Sequence, residues 1–139
     1  MNCASVTHIG YVREENQDCV ETRTFPDGVL ALVCDGMGGE RAGKEASTQA
    51  TQIFLECMQE RCQKSMQTYE IRNAMMAAVS AANTVIYTAA KLNYQNFGMG
   101  TTCAAAFWNQ EGVTVVNVGD SRAYYYADGI LQLITVDHT

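Results

Sequence analysis

A chain of 139 residues that is 47% apolar, with 17% charged residues and a single proline, has room for one ordered globular domain around one core, and its composition argues against disorder. Its formal net charge of -6 and pI near 4.7 disfavour a nucleic-acid binder, because phosphate-backbone affinity is built from clusters of lysine and arginine that are missing here. Its six cysteines include no C-x-x-C pair, which leaves a tetrahedral zinc site without support; they read as reduced thiols of a cytoplasmic protein.

Residues 1–9 alternate weakly and suit a first strand, with no apolar leader segment. Residues 19–25 read as a second strand, Pro26-Asp27-Gly28 as a hairpin turn, and 29–34 as a returning strand. The uninterrupted apolar run of that returning strand predicts that both of its faces are covered. From about Glu40 the period changes. Ala42, Ala46, Ala50, Ile53 with Phe54, Cys57, and Arg61 with Cys62 recur at helical spacing to roughly Ser65.

After a polar break at Gln67 and Thr68, the positions Ile71, Met75, Ala78, Ala82, Val85, Ala89 and Leu92 predict a second long helix, antiparallel to the first. Such a stripe of alanine and methionine is core packing rather than a cofactor site. Strand character returns at 101–108, 113–118 and 121–127, with turns at Gly112 and Asp128-Gly129 before a last strand at 130–135. No run approaches the length of a membrane span. Strands, then a helix pair, then strands describe an α+β fold of antiparallel sheets with the helix pair on one face, in one domain over 1–139.

The chemistry concentrates at Asp35-Gly36-Met37-Gly38-Gly39, directly after the buried strand. An aspartate delivered there is tolerated only when paired, solvated or metal-bound, and the glycines let backbone groups approach a hard cation or a phosphate. Pairing across Pro26–Gly28 puts Asp18 and Asp35 at the same end of the hairpin, where two like charges repel unless a cation lies between them. Asp120, between Gly119 and Ser121 at the end of another apolar strand, repeats the arrangement. In isolation each Asp-Gly is an ordinary turn and Arg13-Glu14-Glu15 an exposed charged loop, so Glu14 and Glu15 are not counted as ligands. The metal reading rests on the joint occurrence.

The ordered set Gly10-x-x-Arg13-x-x-Asn16-Gln17-Asp18, Asp35-Gly36-Met37-Gly38-Gly39, Gly98-Met99-Gly100-Thr101-Thr102, Gly119-Asp120-Ser121-Arg122 and Leu133-Ile134-Thr135-x-Asp137-His138 resembles the PPM (type 2C) metal-dependent protein serine/threonine phosphatases, in their bacterial form. That resemblance implies an αββα sandwich of antiparallel sheets with flanking helix pairs. It implies two or three Mn²⁺ or Mg²⁺ ions, with Asp35 bridging two of them, the Gly36 carbonyl on one, Asp18 supporting the cluster and Asp120 at a third site. Arg13 would hold the substrate phosphate through its fork of donors. Water between the cations would lose a proton and attack phosphorus, hydrolysing phosphoserine and phosphothreonine in cytoplasmic proteins phosphorylated by a serine/threonine kinase, as part of signal transduction.

Some relatives carry histidine where Met37 stands, a general acid this chain lacks, and many carry glutamate where Gln17 stands, so the neutral amide lowers the negative charge around the metals. The resemblance is to the N-terminal half of the catalytic domain. Family members place further metal-binding aspartates in a second half, which implies an incomplete metal centre and apolar faces for self-association or a partner to cover. The alternative expectation is a non-catalytic phosphatase-like regulatory or binding module, or an inactive fragment.

Overall fold

In β1 (Asp18–Phe25) and β2 (Gly28–Met37) the chain folds back on itself through Pro26 and Asp27, so that Phe25 pairs with Gly28 at the turn and Asp18 with Asp35 at the far end. The fixed φ of proline suits the first central position of such a turn. This computed structural model describes residues 2–138. β2 also pairs antiparallel with β3 (Gly100–Thr101) and β4 (Cys103–Asn109), and β4 with β5 (Gly112–Val118), giving a sheet of order β1-β2-β4-β5 with β3 on β2. A separate hairpin joins β6 (Tyr124–Ala127) to β7 (Ile130–Leu133). Its turn residues Asp128 and Gly129 both take positive φ, 52° and 78°, the mirror-image turn that matches strand twist.

The helices α1 (Gly39–Arg61) and α2 (Thr68–Leu92) pack on each other, and α1 lies across β1 and β2. Leu30, Leu32 and Cys34 of β2, Ala105 and Phe107 of β4, and Ala46, Phe54 and Met58 of α1 meet Ile71, Met75 and Ala78 of α2 in the core. Each large side chain removed from water in this way contributes roughly 1.5–3 kcal/mol, which ties the helix layer to one face of the sheet. Among the described residues no helix is long and apolar enough to cross a membrane.

The α+β reading with antiparallel sheets and a helix pair holds, and the local differences have physical reasons. Residues 2–9 form no strand: they are exposed and pair with no neighbouring strand, without which an extended segment leaves its backbone groups to water. Met1 lies outside the described residues. β2 is not covered on both faces, because the helix layer covers only one: Leu30, Leu32 and Cys34 are buried while Val33 between them is 43% exposed. Trp108 and Val113, on the same uncovered face as Val33, are also half exposed.

The first helix ends at Arg61 rather than Ser65, which takes a positive φ of 63° unsuited to a helix. The polar pair Gln67-Thr68 is the start of α2 rather than a gap before it, since the Gln67 side chain and Glu70 form a reciprocal capping box. The α2 stripe continues from Ala82 to Ile86, whereas Val85 and Leu92 are exposed; a period of 3.6 residues carries the buried face past them. Residues 121–123 and 134–135 lie outside β6 and β7.

Candidate functional site

The site is built at the end of the β1–β2 hairpin farthest from its turn. Because Cys34 points into the helix-covered core, the next residue of the strand, Asp35, faces the open side, directly opposite Asp18. Asp18 is seated by its neighbours. Its N–H donates to Asn16 Oδ1 at 3.0 Å, and its carbonyl accepts from Lys44 Nζ at 2.9 Å. The preceding Gln17 carbonyl accepts from Gly36 N–H at 3.2 Å and from the buried Ser47 hydroxyl at 2.6 Å, while the Gln17 amide donates to the Gly39 carbonyl at 2.8 Å.

These bonds require the first turn of α1 to lie tight against the strand end. Gly36 and Gly43 allow it, since a Cβ on Gly36 would overlap the Gly43 carbonyl and stand 2.9 Å from the Gln17 oxygen. Gln17, which the sequence places where many relatives carry glutamate, thus ties the β1 approach to α1.

Arg13, Asp18 and Asp35 line one open cleft of about 870 Å³, together with Met37 and the Gly38-Gly39 turn. The Asp35 carboxyl is raised above its ordinary value of 3.8, first by partial burial, then by the charge and hydrogen bond of Asp18 and the charge of Asp120, with Arg13 opposing. Three of the groups singled out in the sequence, Asp18, Asp120 and Arg13, therefore act on the fourth, Asp35. Asp120 stands apart from the cleft wall, exposed in the bend after β5, and reaches Asp35 through its charge. The Gly36 backbone, buried between β3 and α1, adjoins Asp35.

Three cleft residues escaped the sequence reading. His8, Ile9 and Arg41 also line it, and so do Glu14 and Glu15, which had been set aside. Arg41 was findable: it sits in the first turn of the helix that begins at the second glycine of the Gly38-Gly39 pair. Arg122, by contrast, is committed elsewhere. It makes a bidentate pair with Asp137, 2.9 Å from Nε to Oδ1 and 2.6 Å from Nη2 to Oδ2, which holds the Asp137 carboxyl below the usual carboxylate range. With His138 N–H donating to the Gly119 carbonyl at 2.9 Å, this fastens the last described residues against the Asp120 bend.

The donor chemistry fits a divalent cation. Two opposed carboxylates with an adjacent backbone carbonyl form an all-oxygen set, and magnesium-like ions are commonly held by one or two carboxylates with water filling the remaining positions. Partial burial first, and then the charge of Asp18, raise Asp35; a cation between the two carboxylates would offset the second of these. Among the described residues, however, no three His, Cys, Asp or Glu side chains gather closely enough to hold an ion.

The sequence from residue 8 to 139 matches the family described as Protein phosphatase 2C. The chain belongs to that family. It is 33% identical over 134 residues to the serine/threonine phosphatase stp of Listeria monocytogenes, covering 96% of this chain and 53% of the relative. Among solved structures it resembles the Streptococcus agalactiae serine/threonine phosphatase with a TM-score of 0.85 and 30% identity, over 96% of this chain and 55% of that one. It also resembles the catalytic domain of the serine/threonine phosphatase PstP in complex with two manganese ions, with a TM-score of 0.77 and 31% identity, over 94% of this chain and 53% of that one. The chain thus spans about half the length of the Listeria serine/threonine phosphatases it matches.

Proposed function

We propose that this chain supplies the phosphate-binding side and part of the metal centre of a protein serine/threonine phosphatase that hydrolyses phosphoserine and phosphothreonine in phosphorylated proteins, with Mn²⁺ or Mg²⁺ as cofactor in a two- or three-ion centre. The observation that carries this reading is the convergence of Arg13, Asp18 and Asp35 on one cleft, with the Asp35 carboxyl also feeling Asp120. The manganese complex of the PstP relative supports the choice of metal.

In this reading Asp35, Asp18 and the Gly36 carbonyl would hold the cations, and Asp120 would serve an adjacent ion. Bound there, a divalent cation would neutralise charge on phosphoryl oxygens and acidify water. Arg13, exposed and without an ion-pair partner among the described residues, is free to take two phosphate oxygens in its planar fork and orient phosphorus over the carboxylates. Met37, exposed in the cleft, has no proton to give, so the departing serine or threonine oxygen takes its proton from solvent. Six free thiols, with Cys34 and Cys103 buried in the core, support a reducing, cytoplasmic location. The uncovered sheet face bearing Val33, Trp108 and Val113 supports coverage by further phosphatase sequence, a second copy or a partner.

Release of phosphate from a phosphothreonine peptide at saturating Mn²⁺, lost in Asp35→Asn, tests the catalytic reading; no turnover at any Mn²⁺ concentration rejects it for this chain. A phosphatase-like binding module is the second reading, favoured by the lack of a third clustered ligand among the described residues. Phosphopeptide binding that persists without Mn²⁺ and without turnover selects it.

A further inference from the structure

The sheet hydrogen bonding changes character at Asp35. β2 pairs with β4 as far as Val33 opposite Ala104 and with β3 from Gly36 opposite Thr101, so the register is continuous and Asp35 stands opposite Thr102. Thr102 N–H donates to the Asp35 carbonyl at 2.9 Å, as a ladder requires. The return bond is different: Asp35 N–H donates at 2.9 Å to the Thr102 hydroxyl instead of its carbonyl. That hydroxyl also lies 2.6 Å from the Ser121 hydroxyl, and Thr102 is only 2% exposed.

Ser121 directly follows Asp120. Gly119, directly before it, has φ 99° and packs so closely on Thr102 that a Cβ there would stand 2.7 Å from Thr102 Cγ2. One buried side chain therefore holds the backbone of Asp35 on one side and brackets Asp120 on the other. Since Asp35 N–H already donates into Oγ1, the hydroxyl hydrogen is free to turn towards Ser121, and a hydroxyl is the group able to serve both neighbours at once.

We propose that Thr102 is a positioning residue that fixes the Asp35 carboxylate relative to Asp120 and thereby sets the affinity of the site for a divalent cation. This role rests on the metal reading above. Groups that orient ligands without touching the ion typically change affinity by about 10- to 100-fold when removed. Thr102 acts through the backbone of one candidate ligand and the neighbours of the other.

The test is Mn²⁺ titration by calorimetry of the parent chain, Thr102→Val, Thr102→Ser and Ser121→Ala. Valine keeps the branched shape and removes the hydroxyl; serine does the reverse. Thr102→Val is expected to weaken Mn²⁺ binding about tenfold, Thr102→Ser to bind close to the parent, and Ser121→Ala, which leaves the Asp35 bond intact, to fall between. Asp120→Asn is expected to weaken binding in the parent and to add little in the Thr102→Val background, a non-additivity that a merely structural role would not produce. Parent-like Mn²⁺ affinity in Thr102→Val, or full additivity with Asp120→Asn, overturns the proposal. Should Thr102→Val fail to fold, Ser121→Ala with parent-like affinity overturns it equally. A parent chain that binds no Mn²⁺ overturns the metal reading itself, which separates the two failures.

Discussion

Asp18 and Asp35 are directly opposed across the β1–β2 hairpin, at its open end. The Asp35 carboxyl is raised above its ordinary value by partial burial first and then by the facing Asp18 carboxyl. A folded pKa above the ordinary 3.8 means that folding disfavours the ionised form. The contribution of this group to stability is full below the unfolded value and is lost as pH rises through the folded value. Metal-free Asp35→Asn is therefore expected to melt about 2 °C above the parent at pH 7, with the difference vanishing below about pH 4. Saturating Mn²⁺ should reverse the order by stabilising the parent alone. Thermal melts across that pH range, with and without Mn²⁺, check both signs.

Arg13→Lys keeps the positive charge and loses the planar fork. Phosphate or phosphopeptide affinity should fall roughly tenfold while Mn²⁺ affinity stays within error of the parent, because Arg13 touches the substrate side of the cleft. Isothermal titration of each ligand separately distinguishes this from general damage.

Gly36→Ala should destabilise the chain by about 3 kcal/mol or more in urea denaturation, since its Cβ has no room between the Gly43 carbonyl and the Gln17 oxygen and the backbone must move. Gly100→Ala is the control. Its Cβ would meet the Met37 side chain at an ordinary 3.6 Å, and a change below about 1 kcal/mol is expected.

The thiols should separate by environment. The neighbouring Cys34 first, and then burial, push the Cys103 thiol well above its usual range, and burial raises Cys62, whereas Cys3 is exposed. Iodoacetamide labelling followed by mass spectrometry should modify Cys3 first, and Cys34 and Cys103 only on unfolding.

The hairpin, both helices and the facing positions of Asp18 and Asp35 were legible because each rests on local chemistry: a Pro-Asp-Gly turn, helical spacing of alanines, and an aspartate placed at a strand end. Asp18 opposite Asp35 follows from the turn and the two-residue period alone. What was not legible depends on chain-distant partners. The uninterrupted apolar run of β2 reads the same whether one or both faces are covered, so the exposure of Val33 had no sequence signature. The weak alternation of residues 2–9 lacked only a strand to pair with. The Thr102–Ser121 contact arises where β5 pairs back onto β4 and carries the bend after it to Thr102, a meeting that neither residue's own neighbourhood signals.

Paramagnetic broadening of backbone amide signals during Mn²⁺ titration tests the central claim most directly, because broadening falls off steeply with distance from the ion. The account predicts that the amides of Asp18, Asp35 and Gly36 disappear first, that those of Arg13 and Asp120 follow, and that Asp35→Asn abolishes the pattern. Broadening centred on another surface, or none at Asp18 and Asp35 at saturating Mn²⁺, would contradict it.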